Sequence, residues 1–396
     1  MGADRVDVVV IGAGLAGSAA ARALARRGRS VVVLEAFRPG HRRGSSHGSA
    51  RIFRRAYPDP LYVRLTGEVQ RLWRQLADEA GEEFILTTGG LDFGPAGEQE
   101  KMHEILRAFG VPVELMPPAA AAERWPGMAF GRDPVMFHPD AGVIDVERAM
   151  SAMRALAEAR GTQIYYGSPV LSVSASEAGA VVRTDGRSWH APVVVVAAGA
   201  WLEPLLGGLV ALPPLVVTQQ QAFHFAPRAS AAPHASAAPR ASAAPRGSAV
   251  RYASAAPRPA FIYRGEAAMY GLLAGRDGEV PGAMKIGEHG YGAITTGDDR
   301  DGIVSPAGRE EVRAFVRETL EDIDPDPIGE LTCLYTSTAT EDFILDRQGP
   351  FVVCSACSGH GAKFAPLTGE FVADLACGGP GRNTADSRFT LEAHRG

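Results

Sequence analysis

The amino-acid sequence predicts an α/β fold in which a domain with a parallel sheet and flanking helices contains an inserted α+β domain with a mixed sheet. Two observations predict it. Short runs of β-branched residues end at glycine-containing turns in separate parts of the chain, and the first run leads directly into an Ala-rich helix. Long stretches with other sequence patterns, helical or strand-and-turn, lie between these runs. At 396 residues the chain is long enough for two domains.

The first elements follow the order strand, helix, strand. Val8–Ile11 has the pattern of a short buried strand, Leu15–Arg27 that of a helix, and Ser30–Leu34 that of a second strand. Pro192–Ala198 and Pro350–Cys354 are similar valine-rich runs. Because such runs are typical of strands buried on both faces, we expect all of them in one parallel sheet.

The remaining segments indicate a second domain. Leu61–Ala80 has a helical pattern, whereas Glu83–Phe93 and Ala260–Gly287 have the pattern of strands separated by turns. We therefore expect both domains to be assembled from separated pieces. The first domain is expected to contain residues 1–58, 146–214 and 331–396, and the second residues 59–145 and 215–330.

Ala226–Arg258, inside the predicted second domain, repeats a six-residue unit close to ASAAPR. Large apolar side chains are nearly absent from it, so it cannot bury enough surface to offset the entropy cost of ordering. We interpret this segment as a disordered or polyproline-like surface insertion. Its scattered arginines leave a weak basic tether for an anionic surface open as an alternative.

Composition excludes several classes of protein. The formal net charge is only −5, so no basic field indicates a nucleic-acid partner. No apolar run reaches the roughly 20 residues that span a bilayer, and no export signal precedes the first strand, so we expect a cytoplasmic protein. Four cysteines are too few for a disulfide framework. Cys354-x-x-Cys357 has no companion ligands, so no metal is expected.

The stretch VVVIGAGLAGSAAARALARRGRSVVVLE carries Gly12, Gly14 and Gly17 in G-x-G-x-x-G spacing. These glycines allow a tight turn, the approach of backbone to a pyrophosphate, and close packing of helix on strand. Glu35 ends the second strand, where a carboxylate binds ribose hydroxyls. This order, in which a strand, a helix and a second strand are followed by an acidic residue, predicts a Rossmann-like domain that binds a dinucleotide. The pattern does not separate FAD from NAD.

Three further stretches follow in order: RRGSSHGSARIFRRAY (Arg42–Tyr57), MKIGEH (Met284–His289), and TCLYT with SGHGAKFAP (within Thr332–Pro366). Together with the glycine pattern, they resemble the monomeric sarcosine oxidase family, which includes N-methyltryptophan oxidase and pipecolate oxidase. The resemblance covers nearly the whole chain except Ala226–Arg258. It implies an FAD-binding domain, a substrate domain, a monomer, and oxidation of secondary amino acids by O₂ to an imine and hydrogen peroxide.

The resemblance also implies how FAD is held. The family's matching cysteine is bonded through sulfur to the flavin, so Cys333 is expected to carry FAD covalently, with a buried core thiol as the alternative. Arg51 and Lys285 match positions that place positive charge at the flavin, which attack by a thiolate needs. The other cofactor-binding residues implied are Ser45, His47, Val170, Gly199, Gly359 and Gly361.

Arg54 and Lys363 match the family's clamp for the substrate carboxylate. An arginine fork holds a carboxylate by two hydrogen bonds, and a lysine adds a point charge. The alternative for Arg54 is a solvated basic run with Arg55, which is expected at the surface.

Four residues match positions around the reacting atoms. Lys285 matches the lysine that stabilises charge on O₂ during its reduction. His289, Tyr335 and Tyr270 match residues that shape the pocket and polarise the substrate. Ordinary core residues and a surface lysine are the alternatives.

The predicted function is therefore an FAD-dependent oxidase of sarcosine, N-methyl-L-tryptophan, L-pipecolate or another secondary amino acid. Three alternatives stay open: an NAD-dependent dehydrogenase, an FAD-dependent dehydrogenase that does not use O₂, and an interaction scaffold that uses the repeat. The sequence does not choose the substrate, because the shape of the pocket depends on side chains far apart in the chain.

Overall fold

The structure is a computed structural model that describes residues 3–95, 97–176, 178–228, 258–290, 292–378 and 387–395. The strands are β1 (Asp4–Arg5), β2 (Val8–Ile11), β3 (Val31–Leu34), β4 (Ala50–Phe53), β5 (Ile85–Thr87), β6 (Gly90–Phe93), β7 (Glu114–Met116), β8 (Val135–His138), β9 (Gly142–Asp145), β10 (Gln163–Tyr165), β11 (Ser172–Ser176), β12 (Gly179–Thr184), β13 (Arg187–Ala191), β14 (Val193–Val196), β15 (Val216–Pro227), β16 (Ala260–Arg264), β17 (Ala268–Leu273), β18 (Met284–Glu288), β19 (Ala293–Ile294), β20 (Ile323–Ser337), β21 (Ile344–Gln348) and β22 (Phe351–Ser355). The α-helices are α1 (Leu15–Arg26), α2 (Pro60–Ala80), α3 (Gln99–Ala108), α4 (Pro118–Arg124), α5 (Val146–Glu158), α6 (Leu202–Leu206), α7 (Pro306–Thr319) and α8 (Ala365–Cys377).

The valine-rich runs form one six-stranded sheet in the order β10-β3-β2-β14-β22-β21. All neighbours are parallel except β21, which is antiparallel to β22. Every residue of β2, β3, β14 and β22 is buried. This is the parallel sheet that the runs predict, because strands covered on both faces need no polar alternation.

Alternate residues of β2 belong to different cores. Val8 and Val10 pack with α1, α2, α5 and α8, whereas Val9 and Ile11 face a core shared with the small sheet β1-β13-β12-β11. Side chains of a strand alternate between faces, so one valine run supplies both layers. Each fully buried valine contributes roughly 1.5–3 kcal/mol to stability relative to an exposed one.

A nine-stranded sheet forms the second part of the fold. Its order is β19-β15-β18-β17-β16-β6-β8-β7, and β20 also pairs with β15. An aromatic core that includes Phe93, Phe223, Phe225 and Phe261 covers it. The mixed sheet and the parallel sheet together confirm the predicted α/β fold with an inserted α+β part.

The observed sheets divide the chain differently from the predicted domain boundaries. Strand β20 pairs with β15 along nearly its whole length, so residues 331–337 lie in the nine-stranded sheet rather than with the first domain. Helix α2 packs on α8 and α5, so residues 60–80 lie in the core of the first domain. The apolar pattern of a segment indicates that it is buried but not which sheet or helix it is buried against.

The ends of the ASAAPR repeat are part of the fold. Pro227 is the last residue of β15, and the guanidinium of Arg258 forms an ion pair with Asp322. The rest of the repeat, residues 229–257, lies outside the described residues, so its interpretation as a surface insertion stays a prediction. None of the helices in the described ranges has the length and apolar character that crossing a bilayer requires.

Candidate functional site

A cavity of about 2540 Å³ extends from the glycine turn after β2 to the loop before α8. Ordinary small-molecule pockets have volumes of roughly 300–1,000 Å³, so this cavity has room for a dinucleotide and a second ligand. Among the residues predicted to form the site, all except Gly17 line the cavity.

The turn at one end of the cavity requires glycine. Gly12 has φ +98°, and a Cβ there would lie 2.6 Å from the carbonyl oxygen of Ala197. Gly17 lies outside the cavity wall, where a Cβ would lie 1.9 Å from the oxygen of Gly12. The first glycine therefore shapes the turn, and the third lets α1 pack against it.

The N-terminus of α1 and the end of β3 meet at this turn. Glu35 is 7% exposed, and its Oε2 accepts a hydrogen bond from the amide of Ala13 at 2.8 Å. The hydroxyl of Ser46 accepts one from the amide of Leu15 at 3.0 Å. Ser46 was not among the predicted residues, although it lies in the quoted stretch RRGSSHG. Gly14, Val170 and Gly199 also line this end of the cavity.

Arg51 organises the loop that follows. Its guanidinium donates hydrogen bonds to the carbonyl oxygens of Ser45 at 2.9 Å and His47 at 2.8 Å, and also to that of Ala50 at 2.9 Å. The Nε2 of His47 is buried and has no hydrogen-bond partner among the described residues. Burial, followed by the charges of Arg51 and Lys285, lowers the pKa of His47 to about 3, so its imidazole is neutral.

Lys285 projects from β18 into the middle of the cavity wall and is 3% exposed. Burial, followed by the charge of Arg51, lowers the pKa of Lys285 to about 7. The nearby Cys333 and Asp277 oppose this shift. An ammonium group with a pKa close to neutrality is sensitive to any anion that enters the cavity.

Strand β20 presents Cys333 and Tyr335 to the cavity. Both line the wall, whereas the alternate residues Leu334 and Thr336 are buried on the other face. Burial raises the pKa of the Cys333 thiol, while the charges of Arg51, Lys285 and Arg300 lower it. The thiolate form of Cys333 therefore depends on these surrounding cations.

Arg300 was missed by the sequence analysis. Its guanidinium donates hydrogen bonds to the carbonyl oxygens of Arg42 and Arg43, each at 2.9 Å, and to Thr332 Oγ1 at 2.7 Å. It thus links the loop before Arg51 to the strand that carries Cys333. No sequence pattern marks it, because its partners are remote in the chain.

The two cysteines of the CxxC pattern, Cys354 and Cys357, have surroundings different from those of Cys333. Cys354 is buried in β22, and burial raises its pKa to about 12. Cys357 lines the cavity, with its Sγ 4.0 Å from the carbonyl oxygen of Leu334. Within the described ranges, no three His, Cys, Asp or Glu side chains are grouped so that they could hold a metal ion.

Aromatic rings form the next part of the wall. The rings of His289 and Tyr335 lie 5.7 Å apart, and Gly359 packs directly against both. Burial, followed by the charges of Arg54 and Lys363, lowers the pKa of His289 to about 4. Burial also raises the pKa values of Tyr270 and Tyr335, so all three groups are neutral near pH 7. Gly361 lines the cavity in the following turn.

Arg54 and Lys363 lie together at the far end of the cavity. Lys363 is 5% exposed, and its Nζ donates hydrogen bonds to Tyr57 Oη at 2.9 Å and to the carbonyl oxygen of His360 at 2.8 Å. The guanidinium of Arg54 lies 4.8 Å from the centre of the Tyr57 ring. Tyr57, which sequence reasoning missed, therefore joins the two cations.

The charge of Lys363 is not balanced by an acidic side chain. No carboxylate in the described part of the chain forms an ion pair with it. Burial, followed by the charge of Arg54, lowers the pKa of Lys363 well below its usual value. An anion that enters this end of the cavity would restore the charged form of the lysine.

Comparisons with known proteins find similar flavoenzymes both by sequence and by structure. The family described as FAD dependent oxidoreductase matches residues 7–375. Monomeric sarcosine oxidase of Bacillus sp. (strain B-0618) is 31% identical over 387 residues, covering 94% of this chain and 92% of that protein. N-methyl-L-tryptophan oxidase of Yersinia pestis (strain Pestoides F) is 30% identical over 383 residues, covering 93% and 94%. The solved structure of NikD, described as an unusual amino acid oxidase essential for nikkomycin biosynthesis, aligns with a TM-score of 0.78 at 26% identity over 94% of each chain.

Replacing Gly359 with alanine should destabilise the cavity wall. Its φ is +70°, and a Cβ would lie 2.4 Å from Tyr335 Cε2 and 2.6 Å from His289 Cε1. The control is Gly349→Ala, because Gly349 has φ +59° but no atom within 4 Å of the place that a Cβ would take. In both variants alanine must adopt a positive φ, which lowers the free energy of unfolding by roughly 1–2 kcal/mol. Only Gly359→Ala adds overpacking, about 1–3 kcal/mol.

Urea unfolding of the two variants measures this difference. We expect the free energy of unfolding to fall further for Gly359→Ala than for Gly349→Ala. Equal losses would show that the two rings move aside without cost and do not form a fixed wall.

Proposed function

Because this chain belongs to the family of FAD-dependent oxidoreductases, we propose that it oxidises secondary amino acids, N-methylated or cyclic, to imines and reduces O₂ to hydrogen peroxide. The glycine spacing left FAD and NAD open, and membership in this family selects FAD. Two relatives are named for sarcosine and N-methyl-L-tryptophan, which are both secondary amino acids. Their names support this substrate class.

The observation that carries the proposal is the pair of cations at the far end of the cavity. Lys363 is buried with no acidic partner among the described residues, and Arg54 shares Tyr57 with it. Leaving a buried ammonium without a counter-charge is costly, so an anionic ligand is the natural complement of this end. A carboxylate matches the planar guanidinium of Arg54 and the point charge of Lys363.

The residues of the cavity fit a flavin dinucleotide. The cavity has the volume, and the buried Nε2 of His47 lacks a protein partner among the described residues. The residues that would hold the nucleotide half are Gly12, Gly14, Glu35, Ser46, Val170 and Gly199. The residues that would hold the flavin ring are Ser45, His47, Arg51, Lys285, Cys333, Gly359 and Gly361. Bound flavin supplies the chemistry of accepting two electrons from an amine C–H bond and passing them to O₂.

Arg54 and Lys363 position the substrate and favour its reactive protonation state. Holding the carboxylate fixes which C–H bond faces the rest of the cavity, and such orientation is a large part of catalysis. The same positive charges, in a buried setting, disfavour a positively charged substrate amine. His289, Tyr335 and Tyr270 are neutral, so they shape the pocket without competing for the carboxylate.

Lys285 is the residue that we assign to the oxygen half of the reaction. Its ammonium is buried in the cavity wall beside Arg51. A fixed positive charge in a dry site stabilises negative charge that develops on O₂ as it gains electrons. Because burial and Arg51 hold the pKa of Lys285 at about 7, its charged form predominates below that pH.

Cys333 is the residue that we assign to covalent attachment of the flavin through a thioether. Its thiol lies in the wall of the cavity, where burial raises its pKa and the charges of Arg51, Lys285 and Arg300 oppose that rise. A thiolate is the reactive form of cysteine, so these cations support attachment at this position.

The experiment that tests the proposed function is a screen for peroxide release by the purified flavoprotein. N-methylated and cyclic amino acids should release peroxide with equal consumption of O₂, and the primary amino acid glycine should release far less. If an artificial electron acceptor supports turnover but O₂ does not, the protein is a dehydrogenase and the oxidase proposal is wrong.

Cys333→Ser should abolish covalent attachment while leaving the other contacts of the cavity in place. Wild-type protein precipitated with acid should keep its yellow colour in the pellet, whereas the variant should release flavin to the supernatant. Cys357→Ser is the matched control, because Cys357 lines the same cavity and is expected to keep the linkage. Flavin that stays in the pellet of the Cys333→Ser variant would contradict the assignment.

Lys285→Met should slow oxidation of the reduced enzyme by O₂ about 10²–10³-fold, the usual cost of losing one stabilising charge or donor. In the wild type this rate should fall as pH rises from about 7 upward, because the ammonium then loses its proton. Stopped-flow measurement of reoxidation gives the rate, and Lys285→Arg, which keeps the charge, is the control.

A methionine variant that retains the pH dependence of the wild type would show that a group other than Lys285 is responsible. A fast methionine variant would show that the charge at this position does not assist the reaction with O₂.

A further inference from the structure

A buried carboxylate lies next to the cationic end of the cavity. Asp92, in the middle of β6, is 0% exposed, and its neighbours in the sheet are Ile262 on β16 and Met136 on β8. It does not line the large cavity itself. A carboxylate at such a position is costly unless it is paired, so its partners indicate its role.

The partners of Asp92 are two arginines and a histidine. Arg264 donates to Asp92 Oδ1 from Nε at 3.2 Å and from Nη2 at 2.9 Å, and Arg54 Nη1 lies 3.9 Å from the same oxygen. His138 Nε2 lies 3.4 Å from Oδ2. Burial opposes ionisation of Asp92, but His138 and the two arginines outweigh it and lower its pKa to about 2. The carboxylate is therefore charged near neutral pH.

Asp92 connects Arg54 to a second element of the fold. Arg54 follows β4, a strand of the small sheet β4-β9-β5, whereas Asp92 belongs to the nine-stranded sheet. The Nη1 of Arg54 donates a hydrogen bond to the carbonyl oxygen of Ala56, and the guanidinium also lies beside the ring of Tyr57. At 3.9 Å Asp92 acts on this group through its charge, which favours the orientation that brings the guanidinium toward β6.

Asp92 also limits the positive charge of this region. Arg54, Lys363 and Arg264 all line the cavity, and the charges of all three lower the pKa of His289. Asp92 offsets one of these charges in a fully buried position. A ligand with a second carboxylate near Arg264 would face the negative charge of Asp92, and such repulsion is an effective way to reject a competing ligand.

We propose that Asp92 is the positioning residue of the substrate clamp, and that its charge restricts the site to ligands with one carboxylate. The inference rests on the proposed function in one respect, namely that Arg54 and Lys363 receive the substrate carboxylate. Asp92 orients Arg54 for that carboxylate and keeps Arg264 from binding another.

The test measures binding without turnover. Thioethers in which sulfur replaces the amine nitrogen, (methylthio)acetate with one carboxylate and (methylthio)succinate with two, are titrated into the flavin-loaded protein, and changes in flavin absorbance give each Kd. Asp92→Asn should weaken binding of the monocarboxylate about tenfold or more, the scale expected when a charged partner is lost. It should also shift the preference toward the dicarboxylate by about tenfold or more.

Two further variants separate the two effects. Glu98→Gln is the matched control, because Glu98 pairs with Arg264 Nη1 at 2.9 Å but is 47% exposed, so both Kd values should change less than about threefold. In Asp92→Asn/Arg264→Gln, binding of the monocarboxylate should stay weak, and the preference for the dicarboxylate should return to the wild-type ratio. This double variant also removes the arginine that loses its buried partner, so it decides the question if Asp92→Asn alone does not fold.

Unchanged affinity and preference in Asp92→Asn, or equal effects in Glu98→Gln, would overturn the inference while the proposed function stands. A double variant that binds the monocarboxylate as tightly as the wild type would also overturn it. Wild-type protein that binds neither thioether would overturn the carboxylate site of the proposed function, and this inference with it.

Discussion

An ammonium group buried without an acidic partner is the constraint on which the rest of the site depends. Lys363 donates hydrogen bonds to Tyr57 and to the backbone of His360, but neither partner carries a negative charge near neutral pH. Transfer of an unpaired charge from water to a protein interior costs several kcal/mol. Burial therefore disfavours the charged lysine, and an anion bound beside it would restore that charge. In the function that we propose, this anion is the carboxylate of the substrate.

The fold supplies the groups of the cavity from two sheets. The parallel sheet provides the glycine turn and the N-terminus of α1, and the nine-stranded sheet provides Lys285 on β18 and Cys333 on β20. Strand alternation sets which side chains face inward, so Cys333 and Tyr335 share one wall. Arg51 then holds the loop through the carbonyl oxygen of Ser45, and Arg300 links the same loop to the hydroxyl of Thr332 on β20. Positive charge is thus distributed along the cavity, at Arg51 and Lys285 in the middle and at Arg54 and Lys363 at the far end.

Local patterns allowed much of the fold to be predicted from the sequence. The run Val8–Ile11 and the following helix were predicted to within one residue, because a valine run, a glycine turn and an Ala-rich helix are signals within a few residues of each other. The glycine pattern and the family resemblance together supplied the candidate site residues, and all except Gly17 line one cavity. Contacts remote in sequence were not predictable. Arg300 has partners more than 250 residues away, and Asp92 meets Arg264 across 172 residues. The pairing of β20 with β15 was missed for the same reason.

The most direct test compares a secondary amino acid with the compound in which a neutral carboxamide replaces its carboxylate. Sarcosine and sarcosinamide are mixed with the flavin-loaded protein in the absence of O₂, and loss of the visible flavin absorbance is followed. We expect sarcosine, or the secondary amino acid that the protein prefers, to bleach the flavin, and the matching amide to do so at least about 100-fold more slowly, which corresponds to ~2.8 kcal/mol. Equal rates for the acid and the amide would contradict a site built around Arg54 and Lys363 to hold a carboxylate.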